Sequence, residues 1–437
     1  MVEGYAVYLP AVQFGTAKAL VSKAELRTSG SSPVPLRMND LNWLSPTSKL
    51  WHYRWCLASA AYFADGKDNI ITHASSGTVI LGDSGGYQIG TGAIKGLGDW
   101  QRVQKSPADI MRLWSESELP FDIMRWLDAR CDYAMTIDIP LWARSVTRQQ
   151  TPFHHLSEQQ LIALSVANLD LITKHRDRQT GAKFLNVLHA YAAPGDEAAS
   201  IASEEAWFSA VKDYEFEGWA LAGDVGVRGG LKRVLRRLLI LRDKGLLKSP
   251  RNWCHILGVS TTEWAVCLSA VQRAIRRTVN PDFTVSYDSA SGNKLAGKAN
   301  QYAMMPEFGE SATGWRIRTG LLSANYEIAT SPVPQPFPAT SPAANLFTLQ
   351  HLNPRTTGFD ARTLDNLGDQ VLVNHNIYVY VKAMIEANIS MFVKGVAPPA
   401  LQQAVAVIGD LFDADADDWQ SLLERHAEVL GPRGLVN

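Results

Sequence analysis

Short apolar runs that read as β-strands recur along this chain, and amphipathic helical patterns lie between several of them. The runs fall at residues 5–9, 78–81, 133–137, 184–188, 219–221, 255–259 and 284–287. Strands that alternate with helices pair in parallel, because the helix carries the chain back to the starting edge of the sheet. One such helix is expected over residues 157–175, with Ser157 and Glu158 ahead of its apolar run as an N-terminal cap. Repeated units of this kind, with polar motifs at strand ends, predict an α/β fold. The expected form is a TIM (β/α)8 barrel with insertions and a C-terminal helical extension. Its functional site is then expected at the C-terminal ends of the strands.

Between residues 331 and 342, Pro332, Pro334, Pro336, Pro338 and Pro342 mark an extended linker that cannot be helix. A last βα-like unit is expected after it, strand at 370–373 and helix at 377–387, and helices at 399–411 and 418–430 close the chain. The expected division is a barrel over residues 1–390 and a helical extension over 391–437. The 437 residues are 46% hydrophobic, which suffices for a large core. Forty-two Lys and Arg against 43 Asp and Glu leave a net charge of −1. A globally basic nucleic-acid binder is excluded, so a polyanion site would be a local patch. Cys56, Cys131, Cys254 and Cys267 form no Cys-x-x-Cys clamp, so neither a zinc ribbon nor a disulfide framework is expected. No basic and apolar leader opens the sequence and no run of about 18 apolar residues occurs, so a cytoplasmic protein without a membrane span is expected.

Gly82-Asp83-Ser84-Gly85-Gly86-Tyr87-Gln88 follows the strand at 78–81 directly. Gly-Asp-Ser-Gly-Gly also surrounds the nucleophile of trypsin-like proteases, but that reading needs a disulfide-bonded double β-barrel with a His and an Asp upstream. Here the nearby upstream candidate is His73 and the pattern is α/β. Two other readings stay open. One is an acid at a strand end followed by glycines that let a ligand approach the backbone; the other is a tight turn capped by Asp83. Asp138 ends a second apolar strand just before Pro140, Asp288 ends a third, and residues 218–226 run from a strand into a glycine loop. Each acid alone would serve equally as a helix cap. In a barrel all these ends converge on one face, where several carboxylates are costly unless they have a function.

In this order the motifs resemble those of the tRNA-guanine transglycosylase superfamily. The family's Asp-Ser-Gly-Gly-Phe-Gln is Asp83 to Gln88 here, with Tyr87 for Phe, and its Met-x-x-Asp is Met135 to Asp138. Its Gly-x-Ala-x-Gly-Gly-Leu is similar to Gly218 to Asp224, and its Leu-Met-Gly-Val-Gly to Ile256 through Ser260. Its Phe-Asp-Cys is similar to Tyr287 to Ser289, and its late Leu-x-x-His-Asn-x-x-x-Tyr to Leu372 through Tyr380. The resemblance spans about residues 5–390, and Asp83 to Gln88 is its most specific piece. It implies that Asp288 is the nucleophile that attacks the sugar C1′, that Asp83 is the general acid/base on the purine, and that Asp138 pairs with the N1 and amine edge of guanine. It also implies a base pocket lined by Ser84, Gly85, Gly86, Gln88, His189 and the Gly223 backbone, with Tyr87 and Leu257 sandwiching the base. The chemistry stands on its own terms. A carboxylate nucleophile with a second carboxylate as acid/base gives double displacement with retention and needs no cofactor. A carboxylate also accepts, and does not donate, at the donor edge of guanine.

The departures narrow the resemblance. Members that act on tRNA hold a zinc through Cys-x-Cys-x-x-Cys and a downstream His. His375 stands at the His position, but no cysteine lies between Gly292 and His375, so no metal is expected and His375 reads as structural. His189-Ala190 replaces the family's Gln-Gly, and Asp224 replaces an apolar residue beside the 7-substituent. A zinc-less member resembles the DpdA-like DNA-guanine transglycosylases of phages and bacteria. These exchange guanine in DNA for a 7-deazaguanine such as 7-cyano-7-deazaguanine, which hides sites from restriction. The implied partners are DNA and a 7-deazaguanine base, with oligomeric state open and a homodimer one option. The alternatives are a zinc-less tRNA enzyme and a catalytically inactive nucleic-acid-binding barrel.

Residues 231–251 hold eight cations against Asp243 alone, a local balance of +7. Leu231, Val234, Leu235, Leu238 and Leu239 form one helical stripe, so the cations are expected on the opposite face, with Arg228, Lys232, Arg233, Arg236 and Arg237 contacting phosphates. Arg273, Arg276 and Arg277 add to the next helix; a solvated outer helix is the alternative. In the tail, Asp413, Asp415, Asp417 and Glu424 match calcium-loop positions. Asp418 stands where that loop needs glycine, so charge at a helix N-terminus is expected instead.

Overall fold

A computed structural model of the chain describes residues 4–23, 36–63, 68–94, 97, 106–144, 151–191, 196–226, 229–299, 301–322, 333, 335–352 and 366–431. Eight strands, β1 (Val7–Val12), β2 (Trp55–Ser59), β3 (Val79–Asp83), β4 (Tyr133–Met135), β5 (Lys183–Leu188), β6 (Gly218–Leu221), β7 (Trp253–Ile256) and β8 (Thr284–Ser289), run in sequence order. Each pairs in parallel with the next, and β8 closes on β1 through Leu9 opposite Asp288. The fold is the expected (β/α)8 barrel. The strand missed in the sequence, β2, reads Trp-Cys-Leu-Ala-Ser and has no β-branched residue to announce it. Its register comes from its neighbours, with Leu57 opposite Leu81 and Ser59 opposite Asp83.

Side chains alternate across each strand, and this parity divides the molecule into two cores. Leu9, Leu57, Leu81, Met135, Leu185, Val187 and Ala220 point inward and pack together inside the barrel. Cys56, Ala58, Ile80, Ala134, Trp219, Cys254 and Val285 point outward and pack under the helices. The N-terminal end of the barrel is closed by aromatic rings, with Trp253 4.0 Å from Tyr133 and 5.9 Å from Trp55 between centroids. Continued to the C-terminal end, the same inward parity presents Ser59, Asp83, His255 and Asp288.

The outer layer comprises α1 (Phe14–Ala19), α2 (Ala60–Phe63), α3 (Gly86–Thr91), α4 (Pro107–Glu116), α5 (Leu119–Arg130), α6 (Glu158–His175), α7 (Glu197–Val211), α8 (Gly230–Asp243), α9 (Thr262–Thr278) and α10 (Ser291–Ala299). As expected, α6 starts at Ser157, whose hydroxyl accepts the Gln160 amide at 3.2 Å while Gln160 accepts the Ser157 amide at 2.8 Å. An antiparallel hairpin, β9 (Gln301–Met304) and β10 (Arg318–Leu321), follows the barrel. The proline segment falls partly outside the described residues; Pro336 makes a single antiparallel bridge to Thr348.

The expected strand at 370–373 is corrected. Those residues lie within α11 (Asn366–Phe392), and Val371, Leu372 and Val373 are buried along it. A short apolar run has too few residues to reveal its period. Two further helices, α12 (Pro399–Asp413) and α13 (Trp419–Arg425), end the described chain, the last shorter than the expected 418–430. They are tied to the barrel helices. Arg242 of α8 donates to the carbonyls of Leu411, Phe412 and Ala414 at 3.1, 3.2 and 2.9 Å, which caps the C-terminus of α12. Among the described residues no helix is long and apolar enough to cross a membrane.

Candidate active site

Three carboxylates stand at the C-terminal ends of β3, β4 and β8. Asp83 is the last residue of β3, and its carboxylate accepts the Gly85 amide at 3.1 Å. Gly85 turns the chain from strand into α3 at φ +87°, a conformation that strains any side chain. Gly86 then passes so close to Asp138 that a Cβ would sit 2.8 Å from Oδ1. The paired glycines thus let β3 and the segment after β4 bring their acids to one place. Asp138 is 8% exposed and accepts from the buried Ser84 hydroxyl at 3.5 Å.

Asp288 lies on β8 with its side chain 15% exposed. Two donors converge on its Oδ1, the Gly258 amide at 2.8 Å and His255 Nε2 at 3.2 Å. His255 is fully buried, and its other nitrogen lies 2.9 Å from the Ser286 hydroxyl, which also receives the Trp253 indole N–H at 2.7 Å. Sequence reasoning missed His255 and Ser286. Their signal was parity: each sits on the inward face of its strand, where the neighbouring strands place Ala220 and Val7.

Electrostatics couples the acids. Burial raises the Asp83 carboxyl above the ordinary carboxylate value and the charge of Asp288 raises it further, while the Gly85 amide and the Ser59 hydroxyl oppose the rise. Burial raises Asp138 to about 7, with the Asp83 charge adding to the shift and Ser84 opposing it. Like charges that must share one poorly solvated mouth favour the protonated form of some of them. Raised carboxyls beside a barrel opening are the kind of perturbation that catalytic acids require.

The remaining expected pocket residues ring the same mouth. His189 directly follows β5, buried, with its ring 5.6 Å from Trp207. Gly223 follows β6 at φ +92°, its backbone against Ala190. Leu257 follows β7 and is half-buried. Gln88 on α3 donates to the Tyr62 hydroxyl at 2.9 Å. Tyr87 is 61% exposed and its ring lies 5.6 Å from Trp142, an aromatic pair at the rim. Trp142 carried no expectation from the sequence.

The basic helix requires correction. Arg237 does not face solvent with the other cations; it is 2% exposed, bonded to Glu204 at 2.7 Å and to the Ala222 carbonyl at 2.9 Å. Arg236 pairs with Glu204 and with Glu205, the latter at 3.3 Å. Lys232 bridges Glu197 at 3.2 Å and Glu424 at 2.8 Å. These cations hold α8 to α7 and α13, so their charge is matched within the protein. Arg233 is half-buried on the same helix, and Arg228 lies outside the described residues. On the next helix, Arg277 pairs with Asp413 at 2.7 Å.

His375 lies in α11, fully buried. Its Nδ1 meets the Ser341 hydroxyl at 2.8 Å and its Nε2 the Ala303 carbonyl at 2.9 Å, and burial lowers its ring to about 4. With both nitrogens used inside the protein and no cysteine in reach, the residues at this position do not fit a zinc. Among the described residues no group of three His, Cys, Asp or Glu side chains is placed to hold a metal. No protein-family model matches the chain, and no curated protein matches it.

Proposed function

We propose that the chain is a guanine transglycosylase that exchanges guanine in DNA for a 7-deazaguanine base. The observation that carries this reading is the trio of carboxylates at the barrel mouth. Asp83 and Asp138 are biased towards their protonated forms, and Asp288 is held by two donors. Asp288 attacks C1′ of the target nucleotide as the C1′–N9 bond breaks, its electron pair leaving with guanine. Asp83 supplies the proton the departing base needs. The sugar is then an ester of Asp288. The incoming base gives its N9 proton to Asp83, and N9 attacks C1′ as the ester bond breaks. Two inversions give net retention. Asp138, once ionised, accepts from the N1–H and amine of the base. The nucleotide must be flipped out or single-stranded, since C1′ and the purine edge are inaccessible in a duplex.

DNA is favoured over tRNA because no cysteine cluster precedes His375. The helix α8 adds nothing to that choice once its cations are paired. The test is release of labelled guanine from DNA and from a tRNA stem-loop in the presence of 7-cyano-7-deazaguanine. Wild type is expected to exchange guanine in DNA and to leave a protein–DNA adduct on denaturing gels. Asp288→Ala should lose both, and Asp288→Asn should lose them while remaining folded. Preference for the stem-loop would establish the tRNA alternative. Folded protein inactive on both polymers would leave a binding barrel without catalysis.

A further inference from the structure

Beneath Asp288 a row of polar side chains descends into an interior that is otherwise apolar. Trp253 Nε1, Ser286 Oγ, the His255 ring and Asp288 Oδ1 follow one another at 2.7, 2.9 and 3.2 Å. Donor chemistry fixes the direction of the chain. An indole N–H only donates, so Ser286 accepts from Trp253. An ionised Asp288 only accepts, so His255 carries a proton on Nε2. In the neutral ring Nδ1 is then an acceptor, and the Ser286 hydroxyl hydrogen is directed to it. The residues opposite His255 and Ser286 on the adjoining strands are Ala220 and Val7, and Leu9, Leu81 and Leu185 pack in the same interior. A buried Ser–His pair among them is costly to desolvate unless its bonds are used.

We propose that His255 is a positioning residue for Asp288. The Trp253–Ser286 relay holds its Nε2–H tautomer, which with the Gly258 amide pins Oδ1 and aims Oδ2 at the sugar carbon. The inference rests on Asp288 being the nucleophile. A neutral donor suits this role because it orients the carboxylate without cancelling the charge that attacks, whereas a lysine there would pair it off.

The test compares variants that separate volume from donor. His255→Leu keeps bulk and removes the donor; it should lower kcat by about 10- to 100-fold, the size of one hydrogen bond to a charged group, with KM for DNA and base within about twofold. His255→Gln places an amide N–H near the lost Nε2–H and should restore most of the rate. Ser286→Ala should slow the wild type but add nothing in the His255→Gln background, because an amide has no tautomer to fix. Independently of activity, proton–nitrogen NMR of histidine-labelled protein should find His255 in the Nε2–H form. A Nδ1–H ring, an undiminished kcat in folded His255→Leu, or equal losses in the Leu and Gln variants would each overturn the proposal. A covalent adduct mapped to a residue other than Asp288 would instead overturn the catalytic reading, and the tautomer measurement would still decide how His255 is held.

Discussion

The two ends of the barrel are made by the same eight strands and hold opposite kinds of side chain. At the N-terminal end Trp55, Tyr133 and Trp253 close the interior with tilted rings. Beside them a cleft of about 700 Å³ opens between β1, β2 and α11, lined among others by Tyr5, Arg54, Arg276 and Asn388. At the C-terminal end the inward positions are Ser59, Asp83, His255 and Asp288, with Asp138 brought in beside them. Burying rings removes apolar area from water and stabilises the fold. Burying carboxylates near one another opposes folding. The first end is therefore built for stability, and the second holds a cost that chemistry would explain.

Exchanging single residues at each end should separate these two effects. The largest change is expected at the mouth. Asp83→Asn should lower kcat about 10²- to 10⁴-fold, the range for a general acid/base, while binding of a 7-deazaguanine base by calorimetry stays within about threefold. A turnover retained in that variant would place the acid elsewhere. Next is the buried ion pair behind the end of β6. Arg237→Ala removes one of the two guanidinium partners of buried Glu204, Arg236 being the other, and frees the Ala222 carbonyl beside Gly223. It should cost about 2–3 kcal/mol in urea unfolding, with no change in the salt dependence of DNA binding. A lowered salt slope would restore the helix as a phosphate contact. At the closed end Tyr133→Ala should cost about 2 kcal/mol, since the ring is only half-buried, and kcat should change less than twofold.

The sequence made one of these ends far more legible than the other. The acids announced themselves because each ends an apolar run, and the glycines after Asp83 marked a turn that L side chains disfavour. The inner row of β7 and β8 was harder to see, since Trp253, His255 and Ser286 acquire meaning only when the barrel closes and the two strands lie side by side. The charges on α8 misled for a related reason. A helical stripe orders residues around one axis, but the partners of Arg236 and Arg237 come from α7, through Glu204 and Glu205, and nothing local records them. Residues 370–373 failed as a strand because three consecutive apolar residues, Val371 to Val373, fit either period.

The smallest expected effect is also the most diagnostic of cost held at the mouth. Asp138 ionises near 4 in an unfolded chain and near about 7 in the folded one. Between those values the folded state binds the extra proton, so this residue's contribution to stability falls as pH rises through that window. Above about 7 the full penalty of a buried, repelled carboxylate applies; near pH 4 none does. Asp138→Asn keeps an oxygen to accept from Ser84 and removes the charge. It should raise Tm by roughly a few degrees at pH 8 and leave it unchanged near pH 4. Base binding should move the other way, because an amide presents a donor where guanine also presents donors. Wild-type affinity should weaken as pH drops below about 7, while the Asn variant is weak and flat with pH. A variant that gains no stability at pH 8, or that binds guanine as well as wild type there, would remove Asp138 from the pocket and with it the contrast between the two ends.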